Sequence, residues 1–326
     1  MTSCRLLLPI ITAVMMALSA FATAQDYPVR PIRFIVPFPP GGGTDTVARL
    51  IAQPLAERLK QQVIIDNRGG ANAIIGTDLG AKAPPDGYTW VYCLPASVSV
   101  NPTLYRNLPY DPARDFAPVI QLNATALLLV VNNALPVKSV PELIALAKAR
   151  PEQLNYASSG NGSAAHLAMA LFNVMAGLKM VHVPYKGGAP AITDLISGQV
   201  QMMSGPMIGA MPHVKSGKVR AIAVTTAKRA QGLPDIPAIG ETLKGYESSI
   251  WHGILMPKGV PPAIVQRVNA EINVVLQSDG VRERMATQGA DPVGGTPSEF
   301  AAMLKADIAR QSDLLKKIGL AGSAVQ

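Results

Sequence analysis

The feature that most constrains the fold is a regular alternation of short apolar segments with amphipathic helical segments. The apolar segment 32–36 is followed by residues 44–60, where apolar side chains recur at helical spacing, and then by the apolar segment 63–66. Strands that alternate with helices in this way build layered α/β folds in which the strands run mainly parallel. The sequence therefore predicts an α/β protein with mixed, mostly parallel sheets.

A second alternating series interrupts the first. It begins after residue 122, and the segments from residue 250 onward are predicted to return to the first series. An insertion of this kind produces two lobes that are joined by two chain crossings, near 123 and 226, which form a hinge over a cleft. The predicted first lobe comprises residues 25–123 and 226–326, and the predicted second, inserted lobe comprises residues 124–225.

The N-terminus has the pattern of a secretory signal peptide. Arg5 precedes an apolar run that ends at Phe21, and Ala22 and Ala24 supply the small side chains of an A-x-A cleavage site. A transmembrane anchor is the alternative, but the missing basic stop-transfer flank argues against it. The sequence predicts that residues 1–24 are removed after Ala24 and that the mature protein works outside the cytoplasm.

Charge and cysteine content exclude several classes of protein. The chain of 326 residues has a formal net charge of +8, yet its Lys and Arg residues are scattered and never form a dense run. We therefore expect a solvated surface and no nucleic-acid partner, although an anionic solute is compatible with the charge. Cys93 is the one cysteine outside the predicted signal, which excludes an intramolecular disulfide. The histidines show no metal-binding spacing, so neither a metal nor a cofactor is expected.

Three loops share one design, in which an apolar strand ends in a Gly-rich turn that leads into a helix. Glycine lets the backbone come close to a ligand, and a helix N-terminus offers unpaired N–H donors and partial positive charge. One such loop could do no more than cap its helix, but loops in both lobes could clamp one carboxylate or phosphate when the cleft closes. The three loops are residues 37–45, 158–163 and 186–190.

Nucleotide-binding and hydrolase motifs are missing from these loops. There is no G-x-x-x-x-G-K-[ST] motif, and Ala165 follows Ser163 where a G-x-S-x-G nucleophile elbow needs glycine. His166, three residues after Ser163, is predicted to have a structural role, so no catalytic residue is expected. Phe38 and Tyr185 could line a pocket or belong to the core, and Lys186 could pair with an anion or extend into solvent.

The segments around the loops carry a family resemblance. They include Val36-Pro-Phe-Pro-Pro-Gly-Gly-Gly-Thr-Asp45, Tyr156-Ala-Ser-Ser-Gly-Asn-Gly-Ser163 and Val183-Pro-Tyr-Lys-Gly-Gly-Ala-Pro190, together with residues 27–33, 66–68, 85–88, 101–105, 108–112 and 257–261. These segments closely resemble those of the Bug receptors, the solute-binding component of tripartite tricarboxylate transporters. The likeness spans the whole predicted mature chain in order.

The resemblance implies a periplasmic, two-lobed binding protein of type II (Venus-flytrap) that acts as a monomer and delivers its ligand to integral-membrane transporter subunits. It also implies a small carboxylate ligand that is held largely by backbone amides, hydroxyl groups and ordered water. A receptor that presents its ligand to a sensor kinase and an exported hydrolase remain alternatives. The residues predicted to bind the ligand are Phe38, Pro40, Gly41, Gly42, Thr44, Asp45, Ser158, Ser159, Gly160, Gly162, Ser163, His166, Tyr185, Lys186, Gly187 and Ser204.

The chain departs from the family pattern at one place. Relatives often carry Phe-Asp-Asn or a similar loop after the strand near residue 200, whereas this chain has Ser204-Gly205-Pro206. If that loop reaches the far end of the ligand, it forms a smaller and less polar wall. The identity of the ligand therefore cannot be inferred from that of a relative. Citrate-like, dicarboxylate, amino-acid and aromatic carboxylate ligands are all compatible with the sequence.

Overall fold

The computed structural model describes residues 27–323, apart from Gly42, Lys186, Gln231 and Gln288. The predicted signal peptide and its cleavage site lie outside the described residues. The described strands are β1 (Ile32–Val36), β2 (Val63–Asn67), β3 (Thr89–Cys93), β4 (Phe116–Asn132), β5 (Asn155–Ser158), β6 (Val181–Pro184), β7 (Met202–Pro206), β8 (Val219–Val224), β9 (Ser249–Pro257) and β10 (Ala290–Gly294).

The described helices alternate with these strands. A π-helical turn, Ala96–Val100, follows β3. The α-helices are α1 (Gly43–Leu59), α2 (Ile74–Ala81), α3 (Asn101–Leu104), α4 (Val140–Ala149), α5 (Ala164–Ala176), α6 (Gly188–Ser197), α7 (Met207–Lys215), α8 (Ile239–Thr242), α9 (Pro262–Gln277), α10 (Asp279–Thr287) and α11 (Pro297–Lys317). In the described part of the chain, no helix is long and apolar enough to cross a membrane.

Two mixed sheets share the 17-residue strand β4. The first sheet has the strand order β2-β1-β3-β9-β4-β10, and the second has the order β8-β4-β7-β5-β6. The predicted α/β fold with mixed sheets is confirmed. The sheets are less parallel than predicted, because β4 runs antiparallel to each of its neighbours β7, β8, β9 and β10. The chain passes from the first sheet to the second along β4 and returns along the adjacent strand β9. Because one strand leaves and the other returns, the two run in opposite directions.

Each sheet has its own hydrophobic cores. Helices α1 and α9 cover the first sheet, where Phe34 and Trp90 are fully buried. Tyr156 and Phe172 lie in a separate core beneath the second sheet. Trp251 is also buried, so both tryptophans are core residues. Two lobes with separate cores can move relative to each other about the strands that join them.

The second chain crossing lies later than residue 226. Ala230 and Ala238 pack into one core of the second sheet and Tyr246 packs into the other. The hydroxyl of Tyr246 donates a hydrogen bond to the carbonyl of Ala168 at 3.0 Å, and β9 begins only at Ser249. The division into lobes remains a proposal, and this packing moves its second boundary from 226 to about 248.

Candidate functional site

A cavity of about 710 Å³ lies where the two sheets meet. The first Gly-rich loop forms one wall, β4 and β9 form the floor, and the end of β7 contributes from the second sheet. Its size and its place between two lobes are typical of a small-molecule site. The described lining residues, most of them apolar, are Phe38, Pro39, Pro40, Gly41, Thr44, Val47, Leu94, Asn123, Thr125, Pro206, Ile250, His252 and Ala290.

The first loop brings four of the predicted ligand-binding residues to this cavity, namely Phe38, Pro40, Gly41 and Thr44. Helix α1 begins at Gly43, so Thr44 lies in its first turn and the N-terminal end of the helix faces the cavity. Gly41 has a φ angle of 82°, in the left-handed region that favours glycine. Gly42 lies outside the described residues. The loop therefore turns a helix end toward the cavity, while the N–H of Gly41 is already donated to Asp45.

The carboxylate of Asp45 fixes the conformation of this loop through hydrogen bonds. Its Oδ2 accepts hydrogen bonds from the N–H of Gly41 and from Nε of Arg49, both at 2.9 Å, and its Oδ1 accepts one from Nδ2 of Asn67 at 3.0 Å. Burial alone would raise the pKa of Asp45, but the hydrogen bonds from Arg49, Gly41 and Asn67 outweigh it and keep that pKa below its usual range. The side chain is 5% exposed. Asp45 thus has a structural role in place of the predicted contact with the ligand.

The second and third loops lie against each other. The N–H of Tyr185 donates to the carbonyl of Ser158 at 3.0 Å. Ser163 caps α5 by accepting a hydrogen bond from the N–H of His166 at 3.2 Å, and Gly187 precedes the first residue of α6 with a φ angle of 118°. Ser159 is exposed. None of the described residues of these two loops lines the cavity, and Lys186 lies outside the described residues.

A cluster of two histidines and a serine holds the second loop in place. The rings of His166 and His182 stack at 3.7 Å with an interplanar angle of 4°. Oγ of Ser158 lies 2.7 Å from Nε2 of His182, and Nδ1 of His166 accepts a hydrogen bond from the N–H of Gly162 at 3.1 Å. Burial, reinforced by the neighbouring His182, lowers the pKa of His166 to about 4. Both Ser158 and His166 are buried, so the predicted structural role of His166 fits its surroundings.

Tyr185 and Ser204 also have structural surroundings. The hydroxyl of Tyr185 donates to Oδ2 of Asp194 at 2.7 Å, and the ring packs on the second sheet. Ser204 belongs to strand β7 rather than to a loop, because the pairing of β7 with β4 continues to Pro206. Ser204 is fully buried, and Pro206 is the residue of this segment that reaches the cavity.

Two polar residues at the floor of the cavity were not predicted from the sequence. Nδ1 of His252 lies 2.7 Å from Oδ1 of Asn123, and the two residues are 129 positions apart. The ring of His252 packs against Tyr92, and burial lowers the pKa of His252 to about 4. Asn123 alternates with apolar residues between Gln121 and Thr125 of β4, so it does not stand out, whereas His252 lies in a mostly apolar segment of β9. A histidine in such a segment is the signal that could have pointed to His252.

The described residues hold no group of three or more His, Cys, Asp or Glu side chains that could bind a metal ion. The model of the tripartite tricarboxylate transporter family receptor (TctC) matches residues 47–320. The chain belongs to this family. BugT of Bordetella pertussis is 38% identical over 306 residues, which cover 93% of each chain.

Solved structures of similar receptors agree with this assignment. R. palustris Rpa4515, determined with adipate, shares 40% identity and a TM-score of 0.77 over 91% of this chain and 99% of that chain. MatC from Rhodopseudomonas palustris, with bound malate, shares 32% identity and a TM-score of 0.72 over 89% of this chain and 100% of that chain. The resemblance to the Bug receptors is therefore confirmed. The TctC receptors are periplasmic binding proteins, and this chain has their two-lobed α/β fold.

Proposed function

We propose that this TctC-family receptor captures a small carboxylate in the cavity between its sheets and delivers it to the membrane subunits of a tripartite tricarboxylate-type transporter. The observation that carries the proposal is the N-terminal end of α1, which faces a cavity of about 710 Å³ that both sheets line. Unpaired N–H groups and the helix dipole favour an anion at such a helix end. The described lining contains no Lys or Arg, so backbone donors supply the positive potential.

The first loop binds the ligand directly in this proposal, through the backbone N–H groups in the first turn of α1 and the hydroxyl of Thr44. The second and third loops complete the site when the lobes close, with Ser159, Gly160, Gly162, Lys186 and Gly187 as their contributors. Support comes from the positions of these loops at the carboxyl ends of β5 and β6, where ligands of α/β folds bind. A ligand that touches both lobes must favour the closed state.

Export to the periplasm with cleavage after Ala24 is part of the proposal. It is supported by the A-x-A pattern before Gln25 and by the periplasmic location of the family. Mass spectrometry of the protein from a periplasmic fraction should give an N-terminus at Gln25. Recovery of the full-length chain in the membrane fraction would contradict this part.

A thermal-shift screen of the mature protein against a panel of carboxylates tests the binding function. A ligand present at 100 times its Kd should stabilise the protein by about 2.7 kcal/mol. Nuclear magnetic resonance of the recovered ligand should show it unchanged, since we propose that the protein has no catalytic activity. If no carboxylate in the panel raises the melting temperature, the proposal is wrong.

Transport is tested separately in cells. A strain that lacks the gene should lose uptake of the carboxylate found in the screen, and the restored gene should return it. Normal uptake in the deletion strain would contradict delivery to a transporter. Light scattering coupled to size-exclusion chromatography should give the mass of a monomer.

A further inference from the structure

Asn123 and His252, the floor pair of the cavity, have hydrogen-bonding capacity that the described residues do not use. Asn123 is fully buried, and its Nδ2 has no partner in the described part of the chain. His252 bonds to Asn123 through Nδ1, and its Nε2 makes no hydrogen bond with any described residue. Both residues line the cavity. Buried polar groups in proteins are almost always paired, so the unpaired Nδ2 of Asn123 at the cavity floor indicates a bound partner.

The floor pair presents one donor and one acceptor. Oδ1 of Asn123 can only accept, so Nδ1 of His252 carries the proton of the neutral ring and Nε2 is an acceptor. Nδ2 of Asn123 then remains as the donor. If the amide of Asn123 is rotated by 180°, its Nδ2 donates to Nδ1 of His252, and the ring proton of His252 moves to Nε2. Nε2 then becomes the donor and Oδ1 of Asn123 the acceptor. Either arrangement leaves at least one donor and one acceptor for a ligand.

The surroundings of the floor pair favour a neutral partner. Phe38, Val47, Leu94, Pro206 and Ile250 make most of the wall apolar, and none of the described lining residues carries a formal charge. Burial keeps His252 neutral at pH 7 because its pKa is about 4. A carboxylate at this place would lose its hydration without gaining a counter-ion, and it could use only the donor.

We propose that the floor pair binds a hydroxyl group at the far end of the captured carboxylate, so that the ligand class is a hydroxy-carboxylate with an apolar body. A hydroxyl donates one hydrogen bond and accepts others, which matches the donor and the acceptor of the floor pair. The inference rests on the proposed function, since it assumes that the first loop holds the carboxylate. It adds a specificity for the opposite end of the ligand.

Two matched series of ligands test the proposal by titration calorimetry on the mature protein. One series is benzoate, para-hydroxybenzoate and terephthalate, and the other is hexanoate, its ω-hydroxy derivative and adipate. We expect the hydroxy member of at least one series to bind about tenfold more tightly than its unsubstituted and dicarboxylate partners, because only it satisfies both groups of the floor pair.

The double variant His252→Phe with Asn123→Leu tests the residues themselves. Replacing both partners by apolar groups avoids leaving either one unpaired, so the fold should be retained. The variant should lose the roughly tenfold preference for the hydroxy ligand over the unsubstituted carboxylate. His213→Phe, on α7 and outside the described cavity lining, makes the same chemical change as a control and should keep the preference.

The outcomes separate the two proposals. If no carboxylate binds, the proposed function and this inference both fall. If carboxylates bind but neither series favours its hydroxy member, the inference is wrong and the proposed function stands. A preference that survives in the folded double variant also overturns the role of the floor pair, whereas its selective loss supports it. The wild-type series decides the matter even if the double variant does not fold.

Discussion

At the scale of single residues, the conformation of the first loop depends on the carboxylate of Asp45. It is the common acceptor for the N–H of Gly41, the guanidinium of Arg49 and the amide of Asn67. The same amide also donates to the carbonyl of Phe38 at 3.1 Å. The loop is thereby tied at both of its ends to one buried anion, while its outer face stays free for a ligand.

Removing the carboxylate of Asp45 should lower the free energy of unfolding more than removing the guanidinium of Arg49. Asp45→Ala leaves the donors of Gly41 and Asn67 without an acceptor, which should lower the free energy of unfolding by about 1–3 kcal/mol and weaken carboxylate binding. Arg49→Ala should cost only about 0–1 kcal/mol, because the Arg49 side chain is 55% exposed. Urea unfolding with titration calorimetry makes the comparison. Equal effects of the two substitutions would mean that the ion pair, rather than the loop hydrogen bonds, is what matters.

The neutral state of His166 should make the stability depend on pH. Its pKa is about 4 in the folded protein, against 6.5 for an ordinary histidine, so the folded state binds fewer protons between these values. This contribution is fully present above pH 6.5 and is lost as the pH falls toward 4. His166→Asn keeps an acceptor for Gly162 but does not titrate. Between about pH 7.5 and about pH 4.5 the wild type should lose about 2 kcal/mol more than this variant.

Chemical unfolding at the two pH values provides the measurement. The groups that face His166 are His182 and Tyr156, whose rings lie 3.7 Å and 6.4 Å away. Both proteins retain His252 and the carboxyl groups, so the contributions of those groups cancel in the comparison. Parallel losses of stability in the two proteins would show that His166 is already protonated in the fold.

At the scale of helices and strands, the sequence pattern predicts regular elements well and irregular ones poorly. Strand β1 has the bounds of the apolar segment 32–36, and α1 begins and ends within one residue of the helical segment 44–60. Helix α2 was missed because two of its eight residues are glycine, and β10 was missed because it contains proline and glycine. The second series was predicted to begin only after residue 122, whereas β4 begins at Phe116, since its pairing with β9 shifts register twice and the apolar pattern is lost there.

The same limit explains which parts of the site were predictable. The first loop is a local motif, so Phe38, Gly41 and Thr44 could be read from adjacent residues, and the structure brings them to the cavity. The floor pair depends on two strands that meet only after a whole lobe has been inserted between them, so no local spacing encodes it. Ser204 was misplaced because its tripeptide looks like a turn, whereas pairing with β4 extends the strand.

Helix α5 and the loop before it allow a matched pair of serine substitutions. Ser163 caps the helix, so Ser163→Ala should lower the free energy of unfolding by about 1 kcal/mol. Ser159 is exposed in the same loop, and Ser159→Ala should change stability by less than about 0.5 kcal/mol. In the proposed closed state Ser159 meets the carboxylate, so its loss should weaken binding about tenfold or more. Thermal unfolding and calorimetry on both variants decide this, and unchanged affinity in Ser159→Ala would remove that residue from the site.

At the scale of the whole molecule, strands β4 and β9 and helix α11 are among the described elements that connect the lobes. Thr225 reinforces the crossing on the second-lobe side, because its Oγ1 accepts from the N–H of Leu127 at 3.0 Å and donates to the carbonyl of Ser248 at 2.6 Å. The last turns of α11 pack on α5 through Leu314, Leu315 and Leu167. These contacts restrain sliding of one lobe past the other, so rotation about the crossing strands is the motion that remains.

Ligand binding should therefore close the cleft and make the protein more compact. The first loop belongs to one sheet and the second and third loops to the other, so a carboxylate that all three contact binds the closed state better than the open state. We expect small-angle scattering of the mature protein to show a smaller radius of gyration at saturating ligand. A carboxylate of similar charge that fails to bind in the screen serves as the control and should leave the radius unchanged.

The Ser159→Ala variant at saturating ligand should still close, because the other loop donors remain. If calorimetry shows full occupancy while the radius of gyration stays at its ligand-free value, the ligand is held by the first lobe alone, and the proposed contributions of the second and third loops are wrong.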